Sequence, residues 1–144
     1  MYGANVSTGA QLSTSERWLV RALWAHAVLS GQWIALAWRD GIAEDADLRF
    51  VVNTTGKDGL FVTMSVVAAR NAALRLPLVL LLIAAYGCLI VGQLFELLFA
   101  DPAKVRTWPS DTEARRYLGV WMGGDIVLIA LFSFLYREVS NSRR

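Results

Sequence analysis

Apolar positions in this chain come in long runs separated by short polar stretches. From Leu76 to Ala100 only Glu96 is charged. A run of about 20 apolar residues crosses the hydrocarbon core of a bilayer, so residues 76–100 are predicted to span a membrane. A second span is expected over residues 117–136, bracketed by Tyr117 and Tyr136 and carrying one charge, Asp125. A third is expected over residues 17–38, with Trp18 and Trp38 near its ends as interfacial anchors. Ser13 and Glu16, three apart, form a capping-box pattern just before it. Arg21 and His26 sit inside this third span. Arg21 is close enough to the boundary for its stem to carry the guanidinium back to the headgroups. The alternative for residues 17–38 is a helix lying in the interface.

The segments between the spans read as polar connections. Residues 39–75 form a loop, with Asp40, Glu44, Asp45 and Asp47 set against Arg39, Arg49 and Lys57. Within it, β-branched residues on either side of the turn-rich Asn53–Gly59 stretch allow a hairpin. A short helix from about Leu60 to Leu74 competes and is preferred for its alanines. Pro77 then falls in the first turn of the next helix, where proline is tolerated. Residues 101–116 carry Lys104, Arg106, Arg115 and Arg116, and residues 137–144 form a polar tail. Residues 1–16 are polar and lack the basic region of a cleavable signal, so any targeting information is expected to be internal. Asn5-Val6-Ser7 and Asn53-Thr54-Thr55 match the glycosylation acceptor pattern, which is too short to carry weight alone. The expected fold is all-α: a single polytopic membrane domain of three transmembrane helices. Basic residues then favour placing the first loop and the C-terminus on the cytoplasmic or matrix side.

Composition narrows the function classes. The chain of 144 residues is 56% hydrophobic and 18% charged, with a mean hydropathy of +0.43. That balance excludes a soluble enzyme and a disordered tail, and a lone cysteine, Cys88, excludes a disulfide scaffold. A net charge of +2 is too small for a nucleic-acid footprint. No phosphate-cradling glycine loop, no Cys/His metal set and no complete Ser/His/Asp site is present.

Candidate chemistry falls on four intramembrane ionisable residues, since burying such a group is costly and marks a functional site by default. In a three-span topology Arg21 and Glu96 would each lie about 5 Å inside one membrane face, and His26 and Asp125 about 12 Å inside it. Two depth-matched pairs are therefore expected, Arg21–Glu96 and His26–Asp125. They could hold helices in register, or handle protons in a small homo-oligomeric transporter or channel using Asp125, His26 and Glu96. A single histidine cannot supply both axial ligands of a haem, so haem binding would need a partner's ligand. Ala22-Leu23-Trp24-Ala25-His26, followed by Trp38-Arg39, resembles over about twenty residues the pigment-ligating Ala-x-x-x-His segment of bacterial light-harvesting polypeptides. That resemblance implies a pigment or haem anchor through His26. The spacing from histidine to the terminal aromatic differs from theirs.

Small residues point to packing. Ala84, Cys88 and Gly92 recur every four residues towards Glu96, and Gly119 and Gly123 form a Gly-x-x-x-Gly pattern; such stripes let membrane helices approach closely. Asp125 projects about 140° away from the glycine face. The expected function is a non-catalytic accessory subunit of a multi-subunit, respiratory-type membrane complex. Its expected partners are the lipid bilayer and other membrane subunits, with no cofactor in this chain alone. Its expected home is the mitochondrial or a bacterial inner membrane.

Overall fold

The computed structural model describes residues 12–43, 48–99 and 110–143. The acceptor sequence at Asn5, most of the polar N-terminal segment, residues 44–47 of the first loop with Glu44, Asp45 and Asp47, Ala100, and residues 101–109 of the second connection lie outside them. Among the described residues there are four helices: α1 (Thr14–Ala43), α2 (Leu48–Arg70), α3 (Ala72–Phe99) and α4 (Asp111–Ser142). α1 packs on α2, α2 on α3, α3 on α4, and α4 closes back on α1. This is an up-down-up-down four-helix bundle. Among the described residues, α3 and α4 are each long and apolar enough to cross a membrane.

Helix boundaries follow capping chemistry. Ser13 and Glu16 form the expected reciprocal box, with Glu16 N–H donating to Ser13 Oγ (3.2 Å) and Ser13 N–H to Glu16 Oε2 (3.1 Å). Ser110 caps α4 in the same way, accepting from Glu113 N–H. α2 and α3 are separated by one residue, Asn71, whose Oδ1 accepts from the N–H groups of Ala73 and Leu74.

The region expected to be a loop with a short helix or hairpin is instead a 23-residue helix, α2. Its interior positions Val51, Asp58, Phe61, Ser65 and Ala68 recur at helical spacing and are buried. Packing against α1 and α3 therefore overrides two glycines and a β-branched stretch, and the hairpin reading falls. α3 starts at Ala72, so Pro77 lies beyond its first turn and leaves the carbonyl of Ala73 without its helical donor. Residues 111–116, expected in a connection, are the first turns of α4.

The added helix reverses the polarity of everything after it. The start of α1 and the end of α4 meet, because Arg143 Nη2 donates to Glu16 Oε1 at 2.6 Å. Three successive spans would have put those ends on opposite faces. Arg70 and Arg75 now share an end with Arg17, which removes the basic-residue bias that favoured one orientation.

That shared end is an ionic knot. Glu16 Oε1 accepts from Arg143 Nε as well as Nη2, and Arg75 Nη1 approaches it to 3.9 Å. Arg75 is buried, and its Nε and Nη2 donate to the carbonyls of Ala68 and Ala69 at the C-terminal end of α2. All four helices are thus joined by three side chains. Below the knot lies the apolar core, with Leu19 and Leu23 from α1, Phe61 and Met64 from α2, Val79 and Leu82 from α3, and Phe132 and Val139 from α4.

Glu16→Gln and Arg75→Met should each lower stability by about 1–3 kcal/mol, as expected when a buried partner is left unpaired; unfolding in mild detergent measures this. The Glu16 carboxyl is held below its ordinary value of 4.5, chiefly by the hydrogen bond from Arg143. A carboxyl lowered on folding contributes stability above its unfolded pKa and loses it as pH falls through the lowered folded value. Melting temperature should therefore drop below about pH 4.5, and by less in Glu16→Gln than in the wild type.

Candidate functional site

His26 lies ten residues beyond Glu16 on α1, about 15 Å below the knot. Tyr86 and Phe132 lie eleven residues from Arg75 and Arg143, so the bundle brings the three to one level. His26 is buried, and both ring nitrogens are engaged: Nδ1 with Ser65 Oγ at 2.7 Å and Nε2 with the Tyr86 hydroxyl. Phe132 stands edge-on to the imidazole at 5.4 Å between ring centroids, and Phe61 closes it at 6.0 Å while stacking on Tyr86.

A neutral imidazole donates through one nitrogen and accepts through the other. The phenol is the more acidic hydroxyl, which assigns Tyr86 as donor to Nε2 and Nδ1–H as donor to Ser65. In the neutral form both ring nitrogens of His26 are therefore satisfied.

A second polar layer lies about 10 Å further along the axis, one heptad beyond Tyr86 and Ser65. Gln93 Nε2 donates to Asp125 Oδ2 at 3.0 Å, while the buried Gln93 Oε1 has no hydrogen-bond partner. Asp58 is buried on α2, with Lys57 Nζ 3.5 Å from its Oδ1. Ser30 is also buried, one turn beyond His26.

The expected pairs are not those the fold assembles. His26 bonds to Ser65 and Tyr86, and Asp125 to Gln93. Arg21 sits at the knot end, its guanidinium 5.1 Å above the Trp18 ring. Glu96 is 21 residues from Arg75 along α3, about 32 Å away, at the end where Arg115 donates to the Leu97 carbonyl. Three spans would have put Arg21 and Glu96 at one face; with α2 helical, the start of α1 and the end of α3 lie at opposite ends of the bundle. The pigment or haem reading meets an obstacle of its own, since neither nitrogen of His26 is free to ligate a metal.

Ala84, Cys88, Gly92, Gly119 and Gly123 are all exposed on the outside of the bundle. A Cβ built on Gly92, Gly119 or Gly123 would meet nothing within 4 Å. The glycines of α4 therefore do not serve its packing on α3.

Ser65 and Asp58 were missed because they lay in the presumed loop. The available signal was their position on the stripe Val51–Asp58–Phe61–Ser65–Ala68. The same spacing marks Tyr86 and Gln93 on α3, and Leu118, Asp125, Phe132 and Val139 on α4.

Asp125→Asn should be tolerated to within about 0.5 kcal/mol, because its carbonyl can still accept from Gln93. Asp125→Leu should cost about 1–3 kcal/mol by leaving the Gln93 amide unpaired at both ends. Tyr86→Phe should cost about 1 kcal/mol and shift the His26 ring-nitrogen resonances, read by nitrogen-15 NMR. Compared with family models, with curated proteins and with solved structures, the chain matches none.

Proposed function

We propose that this protein is a non-catalytic helical subunit embedded in a membrane, with all four helices crossing. It acts by packing against other subunits of a hetero-oligomeric complex of the energy-transducing, respiratory kind, whose home is the inner membrane of a mitochondrion or bacterium. The observation that carries this reading is the outward direction of both small-residue stripes. Gly92 on α3 and Gly119 and Gly123 on α4 are exposed with open space in front of them. Membrane helices associate through such surfaces by close backbone approach.

Crossing by α1 and α2 is supported by their antiparallel packing in the ring with α3 and α4. Trp18 and Trp38 are 20 residues apart, about 30 Å, which matches the hydrocarbon thickness. Val28, Leu29 and Trp33 on α1, and Val52, Leu60 and Val67 on α2, turn outward as lipid-facing residues would.

A second reading, proton transfer by a homo-oligomer, is favoured by the two interior polar layers. His26, Ser65 and Tyr86 form one and Asp58, Gln93 and Asp125 the next. Glu96, at the far end of α3, is placed beyond them.

Gly119→Leu with Gly123→Leu tests the first reading, because a Cβ at either position meets nothing within 4 Å. Association with co-purifying subunits should weaken by about tenfold, or 1.4 kcal/mol, while the bundle's own melting temperature is not lowered, since leucine favours a helix over glycine. Native mass spectrometry after mild extraction reads this. A lone wild-type monomer would overturn the assembly reading. A pure homo-oligomer whose proton flux in liposomes is abolished by Asp125→Asn would establish the second.

A further inference from the structure

A groove of about 580 Å³ runs down the outside of the seam between α1 and α4. Counted from the knot, Arg21 on α1 and Glu138 on α4 are each five residues in, so the antiparallel helices put them at one level, about 8 Å below it. They flank the groove from opposite sides, and among the described residues no ion pair engages either one. Arg21 is exposed and held over Trp18. Deeper in, the walls become apolar: Ala22 and Ala25 on α1 face Leu131 and Phe134 on α4. The two alanines leave the space. The groove ends about 18 Å from the knot, roughly the depth of one leaflet's hydrocarbon.

A cation and an anion at one level above an apolar slot complement a headgroup carrying both signs. We infer that this groove holds one phospholipid with a zwitterionic, primary-amine headgroup. Its phosphate sits on the Arg21 guanidinium, its ammonium on the Glu138 carboxylate, and an acyl chain lies along Ala22 and Ala25. Arginine suits the phosphate because its planar fork donates two hydrogen bonds at once. Tryptophan beside it belongs at headgroup depth. An anionic lipid without an amine would satisfy Arg21 and leave Glu138 facing negative charge, so the groove discriminates by repulsion as well as attraction.

The inference rests on the bundle lying in a bilayer, and its test separates the two. The full chain is extracted in mild detergent, exchanged into nanodiscs of equal phosphatidylethanolamine and phosphatidylglycerol, and released for native mass spectrometry. One phosphatidylethanolamine should stay bound per chain, favoured over phosphatidylglycerol by about fivefold, the discrimination a partly exposed ion pair supplies. Glu138→Gln should bring that preference close to unity, and Arg21→Ala should weaken retention of both lipids. Ala25→Phe, which fills the slot from an exposed position, should abolish retention while leaving the melting temperature unchanged; Ala25→Ser should retain the lipid. Retention of phosphatidylglycerol in preference, of no lipid, or of a protein in the groove would overturn the inference with the membrane reading intact. Recovery of the chain from the soluble fraction without detergent would overturn both.

Discussion

One carboxylate, Glu16, holds the bundle's geometry. It accepts from Arg143 at the end of α4, stands within ion-pair distance of Arg75 at the start of α3, and caps its own helix through Ser13. Arg75 in turn closes the last carbonyls of α2. Arg75 is buried with Nη1 making no hydrogen bond, so the Glu16 carboxylate 3.9 Å away offsets its burial, and the four helix ends must stay together for the knot to be stable. Everything below is placed by counting from it. His26, Tyr86 and Phe132 meet because each lies ten or eleven residues away, and Gln93 meets Asp125 because both lie eighteen residues away.

Legibility from sequence reached the helical class and the capping box at Ser13, because each depends on local spacing. It failed at α2. Asn53, Thr54, Thr55, Gly56 and Gly59 in one stretch argue locally for a turn, and what keeps them helical is burial of Phe61, Met64, Ser65 and Ala68 against α1 and α3. That is tertiary packing overriding propensity. The site was lost by the same step, since a missing helix reverses the direction of every later one and pairs Arg21 with the wrong end of α3. Heptad spacing would have recovered more. His26, Ser30, Asp58, Ser65, Tyr86, Gln93 and Asp125 all occupy positions in step with the buried apolar residues of their own helices, as coiled-coil-like bundles require.

Inside and outside divide the chemistry. The interior is apolar near the knot, carries its two polar layers between His26 and Asp125, and is apolar again at Val51, Ala114 and Leu118, so its mid-bundle hydrogen bonds fix which helices are neighbours. The exterior carries tryptophans, large aliphatics and small-residue stripes. These two surfaces make separate demands on the sequence. A substitution at Gly119 changes what can approach from outside, and one at Asp125 changes what the bundle holds within.

The single-residue junction at Asn71 has a consequence for how the protein is made. It joins α2, with polar residues through its middle, directly to the strongly apolar α3. In a bilayer the α3–α4 hairpin is hydrophobic enough to be retained by itself, whereas α1–α2 carries Arg21, His26, Lys57 and Asp58. Lys57 and Asp58 already face each other on α2, but His26 gains its second partner, Tyr86, only once α3 is beside it. Synthesis runs from α1 to α4, but the energetics of membrane residence run the other way. On the proposed four-span reading, the first hairpin completes its interior hydrogen bonds only when the second arrives beside it.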